Sequence, residues 1–173
     1  MQKVNIFGIV TGHLDSLRNS DGKFLLSDIL TFYVLPVLVG VFCLLVCFKI
    51  SKDAIGLSIS VFSIFAALLL SVQVALYSVS LRPLSPPADQ KKNKVFEKVK
   101  EERGAVIREL NNNISYLVLL SVFFITALLL AYIVNPGGVI SSALCVAIYV
   151  HFFLTLLMVV KRASIVFSRE YET

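Results

Sequence analysis

Four long apolar runs divide this chain, and a long polar run separates the second from the third. The apolar runs cover residues 29–48, 54–79, 114–134 and 139–160, and none of them contains Asp, Glu, Lys or Arg. Each holds 20 residues or more, and at ~1.5 Å of helical rise per residue that length crosses a hydrocarbon core of ~30 Å. The pattern predicts an all-α, polytopic membrane protein with four transmembrane helices. Short connections at 49–53 and at Asn135-Pro136-Gly137-Gly138 fold the four into two antiparallel hairpins. The polar run becomes a helical extension outside the membrane. The chain thus divides into an amphipathic N-terminal segment (1–28), a first hairpin (29–79), a charged helical hairpin (80–113), a second hairpin (114–160) and a tail (161–173).

Ahead of the first span, Ile6, Phe7, Val10, Leu14 and Leu17 fall on one helical stripe. Two placements fit it: a helix lying on the membrane surface, or one folded under the protein's own bundle. Thr11, His13, Asp15 and Arg18 turn mostly away from the stripe, which puts His13 on the surface. Asn19-Ser20-Asp21-Gly22 reads as a turn, and Ser27-Asp28 as an N-cap before the first span. The first 28 residues are too polar for a secretory signal, which needs an apolar core.

Within the spans the informative positions are the small and the polar ones. Pro36 lacks the donor that the Phe32 carbonyl needs, so a kink is expected there. Pro36, Gly40, Cys43 and Cys47 make a narrow face for a neighbouring helix. In the second span Gly56, Ser60, Ser63, Ala67, Ser71, Ala75 and Ser78 form a nearly unbroken stripe of small residues. Lipid supplies little hydrophobic drive between helices, so this face is expected to pack closely, on another span or on another copy of the protein. Gln73 points away from the stripe. An amide is costly against lipid, which calls for a second neighbour and favours a homo-oligomer.

In the fourth span Ala143, Ala147, His151 and Thr155 recur every four residues. His151, ionisable and at mid-span, is either functional or a neutral ring bonded to Gln73, a serine or a backbone carbonyl. Lys161 and Arg162 read as interfacial anchors. Cys43, Cys47 and Cys145 read as small packing residues, because two thiols on one face are too few for a metal site. No catalytic motif stands out, and no metal or other cofactor is expected; the chain reads as non-enzymatic.

Charge sets the orientation. The chain is 57% hydrophobic and carries a net charge of +5, with a mean hydropathy of +0.85. Its basic residues flank the spans, which makes them first a topology signal. Lys and Arg number 14 on the side holding both termini and residues 80–113, against 2 on the other. The positive-inside rule puts the richer side in the cytoplasm.

Residues 80–113 hold eight of the 16 Lys and Arg. Ser85-Pro86-Pro87-Ala88-Asp89 is a helix start, and one helix is expected over 89–134. Val95, Phe96, Val99, Val106, Ile107 and Leu110 run as an apolar stripe towards Ile114, broken near Arg103 and Gly104. Three uses fit this surface: self-association, docking of a cytoplasmic partner protein, or adhesion to anionic membrane lipid through Lys91, Lys92 and Lys94. Five interleaved acids and no cluster of base-stacking aromatics argue against direct nucleic-acid binding.

Ser27-Asp28-Ile29-Leu30-Thr31-Phe32-Tyr33 leading to Pro36, followed by Ser60-Val61-Phe62-Ser63-Ile64-Phe65-Ala66-Ala67-Leu68-Leu69, resembles the small four-span membrane subunits of bacterial anti-phage systems, above all the Kiwa system. The likeness is one of layout over most of the chain. It implies an inner-membrane sensor and scaffold that responds to envelope disturbance and recruits or activates a cytoplasmic, DNA-binding partner. Two other functions fit the layout. One is a holin-like pore, against which the spans show no clear polar lining. The other is an accessory transporter subunit that depends on His151.

Overall fold

The computed structural model describes residues 6–17, 26–82, 93–134 and 137–171. Among these, every regular element is helical: α1 (Ile6–Asp15), α2 (Leu26–Ile29), a π-helical turn (Leu30–Val34), α3 (Leu35–Leu45), α4 (Lys52–Ser80), α5 (Asn93–Val134) and α6 (Val139–Tyr171). Four stretches among the described residues are long and apolar enough to cross a membrane: Leu26–Leu45, Lys52–Ser80, Phe96–Val134 and Val139–Ile165. The protein is an all-α, multi-pass membrane protein. The turn expected at 19–22 and the helix start at 85–89 lie outside the described residues, as do Lys91, Lys92, Asn135 and Pro136. Ser27 and Asp28 sit inside α2 rather than ahead of it.

The spans pack as a row, α3 on α6, α6 on α5 and α5 on α4. The first two spans are joined by a short connection, yet their helices do not pack on each other. The hairpin expected there is open, and side-chain size explains why. α3 buries only Pro36, Gly40 and Cys43, a shallow face matched by the alanines of α6. A Cβ added at Gly40 would meet the Ala147 methyl at 3.0 Å and the Ala143 carbonyl at 3.4 Å, so these two backbones approach as closely as glycine allows. Cys47, expected on the same face, lies past the end of α3 and is exposed, at a φ of 52°.

α4 meets α5 through large residues instead. Ile55, Phe62, Leu69 and Leu76 recur every seven positions and are all buried. On α5 the buried set Leu110, Ile114, Leu117, Ser121, Phe124 and Leu128 alternates steps of four and three. That is the spacing of an interlocking helix seam, here running antiparallel. At its centre the Phe62 ring lies 4.7 Å from Phe124, 4.8 Å from Tyr149 and 4.8 Å from Phe152, each edge-on.

At one end of the bundle the short connections are tied together. The Ile50 amide donates to the Ser142 hydroxyl at 2.9 Å, and Ser51 caps α4 by accepting from the Ala54 amide at 3.2 Å. Gly137, at a φ of 85°, takes a backbone shape that favours glycine and lies close against the Ile50 carbonyl. At the other end α5 runs on. Its 42 residues make a rod of about 63 Å, twice the hydrocarbon thickness, and α1 folds against its flank.

Candidate functional site

The site begins with a backbone carbonyl. Pro36 has no N–H to offer Phe32 one turn back. The helix widens there into the π-turn, whose last bond runs from the Leu35 amide to the Leu30 carbonyl. From α6, His151 Nδ1 reaches the Phe32 carbonyl at 2.7 Å. A carbonyl only accepts, so Nδ1 holds the proton, and Nε2 accepts from the Tyr116 hydroxyl at 2.8 Å. Of the bonding partners open to His151 on sequence grounds, a backbone carbonyl is the one realised, with Tyr116 as second partner.

Tyr116 carries the contact to the N-terminal helix. Its ring lies parallel to that of His13, with centroids 3.9 Å apart. His13 Nδ1 donates to Asn113 Oδ1 at 2.7 Å, and the same oxygen accepts from the Ser16 hydroxyl at 2.8 Å. Arg162 on α6 closes the arrangement. It donates to the Ser16 carbonyl at 2.9 Å, where the end of α1 presents unpaired acceptors, and pairs with Glu109 at 3.0 Å. Gly12 lets α1 come this near, since a Cβ there would meet the Asn112 amide at 2.9 Å.

One open placement is decided here and one expectation changes. α1 is folded under the bundle, and Phe7 alone of its large apolar side chains is almost fully exposed, at 84%. His13, expected at the surface, is wholly buried, because the bundle end offers it polar partners rather than lipid. Arg162 holds α1 and α5 together, while Lys161 is exposed. Burial pulls the His13 pKa down from 6.5 to about 4; the Asn113 bond opposes this, and nearby His151 and Arg162 add to it. The Tyr116–His13 contact is face to face, so this chain of groups links the first span to α1 but is not a continuous proton path.

The small-residue stripe of α4 is turned outward. Ser60, Ser63, Ala67, Ser71 and Ala75 are exposed, and Gly56 is half-buried, with Tyr132 as its nearest neighbour. Packing of this stripe on another span of the same chain is therefore excluded, since the opposite face, with its larger side chains, buries more against α5. The stripe's hydroxyls bond their own helix: Ser60 to the Gly56 carbonyl, Ser63 to Ile59 and Ser71 to Ala67. Gln73 donates to Asn111 Oδ1 at 2.9 Å and to the Ser115 hydroxyl at 3.0 Å. Its partner is within the chain, so it no longer argues for an oligomer.

The apolar stripe of residues 95–110 is also largely used within the fold. Leu110 is buried, and Val106 and Ile107 pack against the core. The reason is the length of α4, whose last turns, with Leu76 and Val79, run beside this part of α5. Arg103 donates to the Val79 carbonyl at 2.9 Å and to Arg82 at 3.4 Å, satisfying the end of α4. Phe96 stays half-buried and Val99 is 44% exposed, while the Val95 side chain lies outside the described residues. Beside them, between the last turns of α4 and the first of α5, is an open cleft of about 880 Å³. Sequence periodicity weighs apolar residues, and it had no means to find a site built from His13, Asn113 and Tyr116. A comparison with protein-family models, curated proteins and solved structures finds no match.

Proposed function

We propose that this protein is a membrane-embedded sensor and scaffold, in which the first span reads the state of the bilayer and the docked α1 is the output. The observation that carries this reading is the bond between His151 and the Phe32 carbonyl, because it joins the π-turn inside the first span to the Tyr116–His13 stack under α1. The first span is also the shortest, at 20 residues against 27 or more for the others, so a change in bilayer thickness strains it first. Its buried face is small, and Leu35, Val37, Leu38, Val41 and Phe42 all face outward. Following the resemblance to Kiwa membrane subunits, the stimulus is envelope disturbance at the bacterial inner membrane. The released end, on the cytoplasmic side with both termini, recruits a DNA-binding partner protein. The outward small-residue stripe of α4 supports self-association of copies by close approach.

The test is the distance between spin labels at Thr11 and Lys161, both exposed, in vesicles of graded acyl length. α1 should separate from α6 as the bilayer departs from its matched thickness. His151→Phe should leave α1 docked at rest yet abolish the thickness response. A label distance that ignores bilayer thickness in the wild-type protein refutes the reading.

A further inference from the structure

We propose that the cleft between the end of α4 and the first turns of α5 binds the headgroup of an anionic phospholipid, with the acyl chains lying along the outer face of α4. The level of the cleft is the first reason. Gln73 bonds to Asn111 and Ser115 and so fixes the register of α4 against α5. The uncharged run of α5 begins at Ile114 and that of α4 ends at Val79, so the edge of the hydrocarbon falls between Gln73 and Val79, and the cleft opens across it towards the headgroup layer.

The second reason is charge. Among the described residues four cations line the cleft against one acid, Glu97, and that acid already has Lys100 within 3.8 Å. Arg103 is held on the carbonyls at the end of α4 and shapes the floor. Arg82 and Arg108 are exposed at the rim, and their planar guanidinium groups suit the two-oxygen face of a phosphate.

The third reason separates a lipid from a soluble anion. The same cleft is walled by Leu76, Tyr77 and Leu81, and the last two are each 64% exposed. An amphiphile uses both walls, whereas a free phosphate has no use for the apolar one. Tyrosine at this level is also where interfacial aromatics collect. The inference is independent of the sensor reading and holds whichever compartment this end faces, because it rests on the cleft alone.

Native mass spectrometry of the full chain, released from micelles holding equal phosphatidylglycerol and phosphatidylcholine, tests it. The wild-type protein should retain phosphatidylglycerol by roughly tenfold or more, as expected for two arginine contacts near a lipid surface. Arg82→Gln with Arg108→Gln should bring the ratio close to one, and Lys49→Gln at the opposite end should leave it unchanged. Should the double variant lose its helical circular dichroism, Arg108→Gln alone decides: a lowered ratio supports the site and an unchanged one overturns it. No lipid preference in the wild type also overturns it. So does a preference lost in Lys91→Gln/Lys92→Gln but kept in the arginine variants, which would show diffuse adhesion. Displacement of the lipid by soluble glycerophosphoglycerol would overturn it in favour of a small-anion site. Displacement by polyglutamate would do so in favour of an acidic protein segment.

Discussion

Between α3 and α6 the contact is made by Pro36, Gly40 and Cys43 against alanines, with His151 bonded across it to Phe32. Between α4 and α5 it is made by Ile55, Phe62, Leu69 and Leu76 against Leu117, Phe124 and Leu128. The second contact gains from interlocked volume, and each ring or branch that fits adds dispersion contacts. The first gains little volume and depends on close backbones and a few directed bonds. The difference teaches where movement belongs. A dry seam of large side chains has one good arrangement, while a shallow seam held by hydrogen bonds has a second arrangement within reach.

The comparison breaks most visibly at Phe62. Phe62→Ala should destabilise the protein by roughly 3–5 kcal/mol, the usual cost of truncating a buried aromatic, measured by detergent-driven unfolding and far-UV circular dichroism. A loss below about 1 kcal/mol would show that the ring cluster is not the centre of stability.

The polar side should yield to acid where the dry side does not. His13 is held neutral, with its pKa near 4 when buried, and a solvated histidine titrates near 6.5. The undocked state therefore binds more protons between these values. α1 docking is at full strength above pH 6.5 and weakens as pH falls towards 4, by roughly 3 kcal/mol in all. Amide hydrogen exchange of residues 6–15 reads this directly, once corrected for the intrinsic rate. His13→Gln should flatten the profile, and a wild-type profile already flat between pH 6.5 and 4 would remove His13 from the docking energetics.

The smallest effect is expected on the outward stripe. Ser63→Leu with Ala67→Leu should change the stability of the single chain by no more than ~0.5 kcal/mol, as for exposed positions in general. The same pair should weaken association between copies in chemical crosslinking if the stripe is the packing face. A large loss of single-chain stability would mean that the stripe is covered within the chain after all.

The spans themselves were legible as uncharged runs, because the cost of unpaired backbone in hydrocarbon leaves helices few alternatives. The packing face of α4 was not. In a helix apolar all round, hydropathy does not distinguish the faces, and the small residues drew attention to the one that is not buried within the single chain. The seven-residue recurrence of Ile55, Phe62, Leu69 and Leu76 was the readable signal. On α5 the matching period begins at Leu110, inside the polar stretch, where it stands out more clearly. A disturbed helix around Pro36, found as the π-turn, and a backbone carbonyl among the partners open to His151 were each readable alone. Their union required knowing that α3 lies on α6. His13 was hidden because its partners, Asn113 and Tyr116, lie about a hundred positions away along the chain.

The unbroken length of α5 has a mechanical consequence. Gln73 grips it at Asn111 and Ser115, which makes that level a fulcrum; the stretch back to Asn93 is an arm of about 27 Å that carries the end of α4 with it through Arg103. A tilt of about 10° at the fulcrum would sweep the tip of the arm through about 5 Å, the pitch of one helical turn. A displacement of under an ångström close to the fulcrum, at Tyr116, would thus arrive at the far end as a motion large enough for another molecule to feel.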